Sequence, residues 1–127
     1  MSIERVKKYF KRFGISGRIK ELDSSSATVE LAAQALNCEP ERIAKTLAFN
    51  VNEQIVLIVT AGDAKIDNHK YKTVFGLKAK MLSPEMVEKL VGHAVGGVCP
   101  FGINENIAVY LDVSLKRFKT VFPACGS

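Results

Sequence analysis

The stretch KTLAFNVNEQIVLIVTAG, residues 45–62, predicts the centre of the fold. Two apolar runs, 45–51 and 54–62, are separated by the polar pair Asn52-Glu53, which is the pattern of two strands joined by a tight turn. The second run is apolar almost without interruption, as expected of a strand that is buried on both faces. These residues therefore predict a β-hairpin whose second strand lies inside a sheet.

The residues before the hairpin predict two helices and one short strand. The first helix is closed by Gly14 and Gly17, and its apolar residues at helical spacing are Ile3, Val6, Phe10 and Phe13. RIKEL, residues 18–22, has the alternation of a short strand. DSSS, residues 23–26, then offers N-cap side chains for a second helix, whose inward residues are Val29, Ala32, Ala33 and Leu36. A single turn begun by Pro40 leads into the hairpin.

The residues after the hairpin predict two further helices and three strands. One helix is expected at 68–75, ending at Gly76, and another follows Ser83 and Pro84 and ends at Gly92. The inward residues of the latter helix are expected to be Met86, Val87, Leu90 and Val91. The strands are expected at 77–82, 107–113 and 120–124. The whole chain, residues 1–127, is therefore expected to form a single α+β domain with helices packed against one mixed sheet.

The composition is that of one globular domain. Of the 127 residues, 47% are hydrophobic and 24% are charged, which is enough apolar material for a core. The longest apolar run, 55–59, is far shorter than a membrane span, and the polar N-terminus lacks the apolar region of a signal peptide. We therefore expect a cytoplasmic protein that does not contact a membrane.

The cysteines and histidines do not suggest a metal site. Cys38, Cys99 and Cys125 have no CxxC spacing, so free thiols in a reducing compartment are expected. The two histidines, His69 and His93, are not near cysteines or paired carboxylates at the spacing of metal ligands. Neither a metal nor another cofactor is expected.

The net charge of +5 is clustered in three basic runs. They are RVKKYFKR at 5–12, KIDNHKYKTVFGLKAK at 65–80, and LKRFK at 115–119. Such runs can be solvated helix faces, but three of them in one small chain favour a polyanionic partner, and nucleic acid above others. Within the second run, Lys70 and Lys72 are the candidate residues for contacting such a polyanion.

The stretch AVGGVCPFGIN, residues 94–104, combines three glycines with a thiol and a proline between a helix and a strand. It is not a phosphate-binding P-loop, because it has no lysine and leads into a strand. A second hypothesis makes Cys99 a nucleophile with His93 or His69 as its base. A third makes the stretch the wall of a binding pocket, in which Gly96 and Gly97 allow a ligand to approach the backbone.

Several motifs together resemble the YbaK/prolyl-tRNA-synthetase-associated domain. They are RIAKTLAF, VTAGDAKID, LSPEMVEKLVGHAVGGVCPFG and VFPACGS, and the resemblance runs from about residue 24 to the end of the chain. It implies a partly barrel-like mixed sheet flanked by helices, and metal-independent hydrolysis of the ester in a mischarged aminoacyl-tRNA. The implied substrate is tRNA(Pro) carrying cysteine, alanine, serine or threonine, and prolyl-tRNA synthetase is a candidate partner. A non-catalytic module that binds tRNA or a synthetase is the alternative.

The resemblance also implies roles for individual residues. Lys45 matches the lysine that holds the 3′-terminal phosphate or ribose of the tRNA, and is the implied catalytic residue. The loop that frames the aminoacyl group corresponds to Gly96, Gly97, Val98, Cys99, Pro100 and Gly102. Two features depart from the family: Cys99 lies where close relatives often have serine or proline, and a C-terminal strand and helix usual in relatives are expected to be missing after Ser127.

Overall fold

The hairpin predicted from residues 45–62 is confirmed and forms the middle of the sheet. In the computed structural model, which describes residues 2–22 and 28–126, strand β1 spans Ile43–Val51 and strand β2 spans Gln54–Ala61. The two strands are antiparallel, in a register that pairs Ala44 with Ala61 and Val51 with Gln54. At the turn, Asn52 and Glu53 both have positive φ, 51° and 67°.

Two shorter strands complete a mixed sheet. Strand β3, Ala108–Leu111, runs parallel to β2, and strand β4, Phe122–Pro123, runs parallel to β1. The strand order is β3-β2-β1-β4, and the sheet curls into half a barrel. The predicted fold class, an α+β arrangement with a partly barrel-like mixed sheet and flanking helices, is confirmed.

The described residues include four α-helices, and local sequence signals explain where three of them begin and where two of them end. Side-chain caps begin α2 at Thr28, α3 at Asp67 and α4 at Ser83, each accepting a hydrogen bond from a backbone N–H in the first turn. Gly76 and Gly92 end α3 and α4 with left-handed backbone at φ 76° and 90°. The helices are α1 Ser2–Lys11, α2 Val29–Leu36, α3 Asn68–Phe75 and α4 Pro84–Val91.

Both faces of the hairpin are covered, which explains why β2 is almost continuously apolar. On one face, Phe49, Val56 and Ile58 pack with Tyr71 of α3. On the other face, Ala48 and Leu57 pack with α4 and with Ile107. Because side chains alternate along a strand, residues 45, 47 and 49 of β1 point to the α3 face, and residues 44, 46 and 48 point to the α4 face.

Helix α1 packs against a loop instead of a strand. Val6 and Phe10 form a buried cluster with Cys99, next to the half-buried Phe101. Cys99 and Phe101 lie in the segment 92–102 that follows α4, which we call the glycine loop. Since α1 is among the first residues of the chain and the glycine loop is among the last thirty-six, this packing depends on contacts that are remote in sequence.

Several predictions for the N-terminal part were wrong or lie outside the described residues. No strand forms at 18–22: residues Ser16–Arg18 form a 3-10 helix, and residues 19–22 join none of the strands of the sheet. The DSSS stretch, 23–26, lies outside the described residues, and the observed cap of α2 is Thr28. Phe13, the last of the four apolar residues assigned to the first helix, lies beyond the end of α1 and is 59% exposed.

The predicted strand at 77–82 is also wrong. Only Met81 forms an isolated bridge, to Phe49, although the Asn50 N–H donates to the Lys80 carbonyl and the Leu82 N–H donates to the Ala48 carbonyl. The strands expected at 107–113 and 120–124 exist but are shorter, since a 3-10 helix takes over at Val113–Arg117 and β4 has only two residues. In α4, Val87 and Val91 are buried as expected, but Met86 and Leu90 are each 39% exposed.

No helix among residues 2–22 and 28–126 has the length and apolar character that are needed to cross a bilayer.

Candidate functional site

Lys45 lies in β1, at the edge of this strand that does not pair with β2, in a gap between two pairing partners. Strand β4 pairs with Ile43 and Ala44, and Met81 bridges Phe49 further along, so residues 45–47 lie between the two pairings. The Lys45 ammonium group is 3.5 Å from the carbonyl oxygen of Gly62 and donates to it. A hydroxyl in the same gap, Oγ1 of Thr46, is buried and has no hydrogen-bond partner among the described residues.

Gly62 is packed so tightly that a larger residue would not fit beside Lys45. A Cβ atom at this position would collide with the backbone oxygen of Pro40 and would crowd Val29. The carbonyl group that Lys45 contacts is therefore in a fixed place. Beyond it, Asp63 forms a two-pronged ion pair with Arg117, with N–O distances of 3.0 and 2.5 Å, so this carboxylate already has a cationic partner. Arg117 foremost, and Lys45 to a smaller extent, lower the pKa of Asp63.

The glycine loop is attached to the segment that follows β4. The Gly97 N–H donates to the Ala94 carbonyl, and the Gly97 carbonyl accepts from the Gly126 N–H, both at 2.9 Å. Because β4 begins beside Ile43, this connection brings the loop next to the strand that carries Lys45. The left-handed backbone positions of the predicted loop residues are Gly96 at φ 97° and Gly102 at φ 65°, whereas Gly97 is not among the residues with positive φ.

Lys45 and the glycine loop lie on opposite faces of the sheet, on either side of the outer edge of β1. The Lys45 side chain leaves the strand on the α3 face, while Val98 of the loop packs near Ala48 on the α4 face. The contact that Lys45 makes is with Gly62, not with the loop. A ligand that contacts both Lys45 and the loop must therefore cross the edge of β1 at residues 45–47.

The side chains of the loop point mainly into the protein. Cys99 has 0% exposure and packs with Val6 and Phe10, so it can line a pocket only through its backbone. Val98 is half-buried against the α4 cluster, and Pro100 is half-buried as well. The part of the loop that is available to a ligand is therefore its backbone near Gly96.

The structure brings His93 and Cys99 together, which no spacing in the sequence indicated. The Cys99 sulfur is 3.6 Å from Nε2 of His93, and the same Nε2 is 2.8 Å from the Phe101 carbonyl oxygen. Since a carbonyl can only accept, Nε2 carries the proton and donates it, and Nδ1 is left buried without a partner among the described residues.

This pair is unsuited to nucleophilic catalysis. Both side chains have 0% exposure. Burial raises the pKa of the Cys99 thiol to about 12 and lowers the pKa of His93. A protonated thiol beside a histidine nitrogen that is itself a donor cannot be activated as a thiolate. His69, the other candidate base, lies on the exposed surface of α3, away from this pair.

Sequence reasoning also missed the role of Arg5. Its guanidinium group donates to the carbonyl oxygens of Gly92 and Gly102, the two ends of the glycine loop. In the sequence Arg5 is only the first member of a basic run, and no local pattern distinguishes it from the cations around it.

Lys70 and Lys72 are exposed on α3. Lys72 borders a surface groove of about 420 Å³, whose other lining residues are Asn68, His69, Lys78 and Ala79. Lys70 lies close enough to Asp112 to help lower its pKa, although the hydrogen bonds from Ser114 contribute more. Among the described residues, no group of three or more His, Cys, Asp or Glu side chains is arranged to hold a metal ion.

Comparison with known proteins identifies relatives over most of the chain. Residues 23–127 match the sequence model of the aminoacyl-tRNA editing domain. The uncharacterized protein YwhH of Bacillus subtilis is 53% identical over 128 residues, covering 100% of this chain and 82% of its own. A proline--tRNA ligase of Bacillus cytotoxicus is 34% identical over 100 residues, which cover 78% of this chain but only 17% of the ligase.

A solved structure agrees with these matches. The crystal structure of a protein proposed to be a trans-editing enzyme for prolyl tRNA synthetase superposes with a TM-score of 0.87 at 34% sequence identity. The superposition covers 99% of this chain and 81% of that chain.

Proposed function

The chain belongs to the aminoacyl-tRNA editing domain family, and from this membership we propose that it is a hydrolase that removes a wrongly attached amino acid from tRNA. The observation that carries the proposal is the match of residues 23–127 to this family. The likeness to part of a proline--tRNA ligase, and to a protein proposed as a trans-editing enzyme for prolyl tRNA synthetase, supports tRNA(Pro) as the substrate. Cysteine, alanine, serine and threonine are the candidate amino acids.

We propose that Lys45 binds the 3′-terminal phosphate or ribose of the tRNA. An ammonium group is a compact point charge that suits a phosphate, and the fixed carbonyl of Gly62 holds it at the edge of β1. The amino acid would then extend across this edge toward the backbone of Gly96 and Gly97, with Val98, Cys99, Pro100 and Gly102 keeping the loop in shape. Lys70 and Lys72 would contact the tRNA backbone further out.

The proposed hydrolysis needs no nucleophile from the protein. An aminoacyl ester is intrinsically labile, so water, the neighbouring ribose hydroxyl or the side chain of the substrate can attack it. The protein contributes the position of the ester and backbone N–H groups that stabilise the oxyanion. This assignment agrees with a Cys99 thiol that stays protonated. We propose that the reaction is independent of metal ions, so that EDTA leaves the rate unchanged.

The partners and location follow from the same proposal. Mischarged tRNA(Pro) is the substrate, prolyl-tRNA synthetase is a candidate partner in the same cycle, and the cytoplasm is the compartment where both would be met.

The test is a deacylation assay with tRNA(Pro) charged with each of the candidate amino acids. We expect Lys45→Ala to abolish hydrolysis without unfolding the protein, because its side chain contributes little packing. We expect Cys99→Ser to retain most of the activity, since the thiol is not a nucleophile. Lys89→Ala removes an exposed lysine from α4 and is the matched control for lost charge.

Three results would contradict these assignments. Full activity of Lys45→Ala with an unchanged melting temperature would remove Lys45 from the mechanism. Loss of activity in Cys99→Ser, together with a trapped acyl-thioester in the wild type, would favour covalent catalysis. Tight binding of tRNA without hydrolysis of any charged form would favour a binding module instead of an enzyme.

A further inference from the structure

Helix α1 contacts both ends of the glycine loop through one side chain. Nη2 of Arg5 donates to the Gly102 carbonyl at 2.6 Å, and Nη1 donates to the Gly92 carbonyl at 3.4 Å. These two carbonyls begin and end the loop, ten residues apart in sequence. The guanidinium group is a planar fork with several donors, so it can span two acceptors at once, which a lysine ammonium on a flexible stem does less well.

The backbone conformation at both ends fits this contact. Gly92 and Gly102 have left-handed φ angles of 90° and 65°. A Cβ atom at Gly92 would collide with the guanidinium group of Arg5. A Cβ atom at Gly102 would lie 3.2 Å from the backbone oxygen of Arg5, which is tighter than ordinary packing. Both ends of the loop therefore approach α1 closely, and the positive φ at each end favours glycine.

Apolar packing of α1 supports the middle of the loop. Val6 and Phe10 are buried against Cys99. The rings of Phe10 and Phe101 meet edge to face, with 4.8 Å between their centroids. Within the glycine loop itself, the buried His93 side chain donates a hydrogen bond to the Phe101 carbonyl.

We propose that Arg5 is a positioning residue that fixes the glycine loop in the shape required for deacylation. Helix α1 lies outside the residues 23–127 that match the editing family, so this role is additional to that match. The proposal deepens the proposed function and rests on it for its kinetic consequence. If the ester is positioned by the backbone of the loop, a loosened loop lowers kcat, while KM changes little because most of the tRNA is bound elsewhere.

The first test does not depend on catalysis. It measures how fast iodoacetamide alkylates Cys99, read by mass spectrometry of its peptide, in wild type, Arg5→Ala, Arg5→Lys and Lys11→Ala. The thiol is fully buried and its pKa is about 12, so it reacts only when the loop opens. We expect alkylation in Arg5→Ala to be faster by about tenfold or more, with an intermediate rate in Arg5→Lys, which keeps the charge but not the fork. Lys11→Ala removes a cation from the same helix and should behave as wild type.

The second test measures deacylation by the same variants. We expect kcat in Arg5→Ala to fall by about tenfold to a hundredfold, the order of loss that follows a small misplacement of catalytic groups. KM should stay within about twofold of the wild-type value. Guanidinium ions added at low millimolar concentration should restore part of the lost kcat, which a general loss of stability would not allow.

Each outcome decides the proposal. Unchanged Cys99 alkylation in Arg5→Ala would overturn it, and so would wild-type behaviour of Arg5→Lys in both tests. Cys38 lies in a different cluster, with α2, and serves as an internal control. Equal acceleration at Cys38 and Cys99 would indicate general unfolding and would also overturn the proposal. If the wild type does not hydrolyse any mischarged tRNA, the proposed function fails, but the alkylation test still decides whether Arg5 holds the loop.

Discussion

At the scale of the residue, His93 is ionisable but is held in the core without a charge. It has 0% exposure, it donates to the Phe101 carbonyl, and its Nδ1 has no partner among the described residues. Burial, with a smaller contribution from the nearby Arg5, lowers its pKa, and the hydrogen bond to Phe101 opposes this shift without cancelling it. The ring is therefore neutral when the protein is folded near neutral pH.

This burial predicts a loss of stability in mild acid. Because the pKa of His93 is lower in the folded protein than its ordinary value of about 6.5, His93 takes up a proton more readily in the unfolded chain than in the folded one as the pH falls. The free energy of unfolding should therefore fall as the pH drops from about 7 to about 5, by at most about 1.4 kcal/mol per pH unit from this residue. Urea unfolding of wild type and His93→Gln across this range measures the effect.

The glutamine variant separates His93 from the acidic groups. Glutamine can still donate to the Phe101 carbonyl but does not titrate, so its stability should change less over this range. Asp63, Asp67 and Asp112 have lowered pKa values, and their contribution is lost only in stronger acid. Parallel stability curves for the two proteins would show that His93 is not the titrating group.

Among the secondary-structure elements, the hairpin between β1 and β2 has a strained turn, because Glu53 adopts a backbone conformation that glycine would adopt without strain. Asn52 and Glu53 both have positive φ, as a two-residue turn with the twist of a hairpin requires. Asparagine tolerates this region, whereas glutamate does so at a cost. The Asn50 side-chain oxygen accepts the Glu53 N–H at 2.9 Å and helps hold the turn.

Glu53→Gly should therefore stabilise the protein. Glycine reaches positive φ without a steric penalty, although it also makes the unfolded chain more flexible. We expect the free energy of unfolding to rise by about 0.5–1 kcal/mol in urea titrations. Gln54→Gly, one residue further into β2, is the control and should destabilise instead, because the backbone there is extended. A loss of stability in Glu53→Gly would mean that the turn is not strained at this position.

At the scale of the whole molecule, the three basic runs are not equally available to a polyanion. Arg117, in the third run, is paired with Asp63, and Lys7, in the first, is paired with Glu21. In the second run, Lys72 and Lys78 border one groove on the exposed surface of α3 and the segment after it. We therefore expect the second run to contribute to the surface that contacts tRNA.

Binding of tRNA should therefore weaken steeply with salt, since each phosphate contact releases condensed counterions. The slope of log affinity against log salt should be about −0.7 to −0.9 per contact. Lys70→Ala and Lys72→Ala should each make the slope shallower, whereas Lys116→Ala should leave it near the wild-type value. Fluorescence anisotropy with deacylated tRNA(Pro) measures this slope. A flat salt dependence, or an equal effect of Lys116→Ala, would contradict an electrostatic surface on α3.

The elements with local signals could be predicted from the amino-acid sequence. The hairpin follows from two apolar runs and a two-residue turn, and α3 and α4 follow from Asp67, Ser83 and the glycines that end them. The motifs around Lys45 and the glycine loop were also sufficient to indicate the editing family, which the family match confirms. Their roles as site residues stay predictions.

Features that depend on contacts between remote residues could not be predicted from the sequence. The stretches 18–22 and 77–82 both have strand-like composition. Within the described part of the chain, 19–22 pairs with no strand, and 77–82 meets the edge of β1 only from Lys80 to Leu82, around a single bridge at Met81, so neither stretch becomes a regular strand. The approach of His93 to Cys99 depends on how the loop folds back on itself. Arg5 contacts residues that are 87 and 97 positions away in the sequence. Periodicity and spacing report only on neighbours within a few residues, so these contacts exist only because the folded chain brings the groups together.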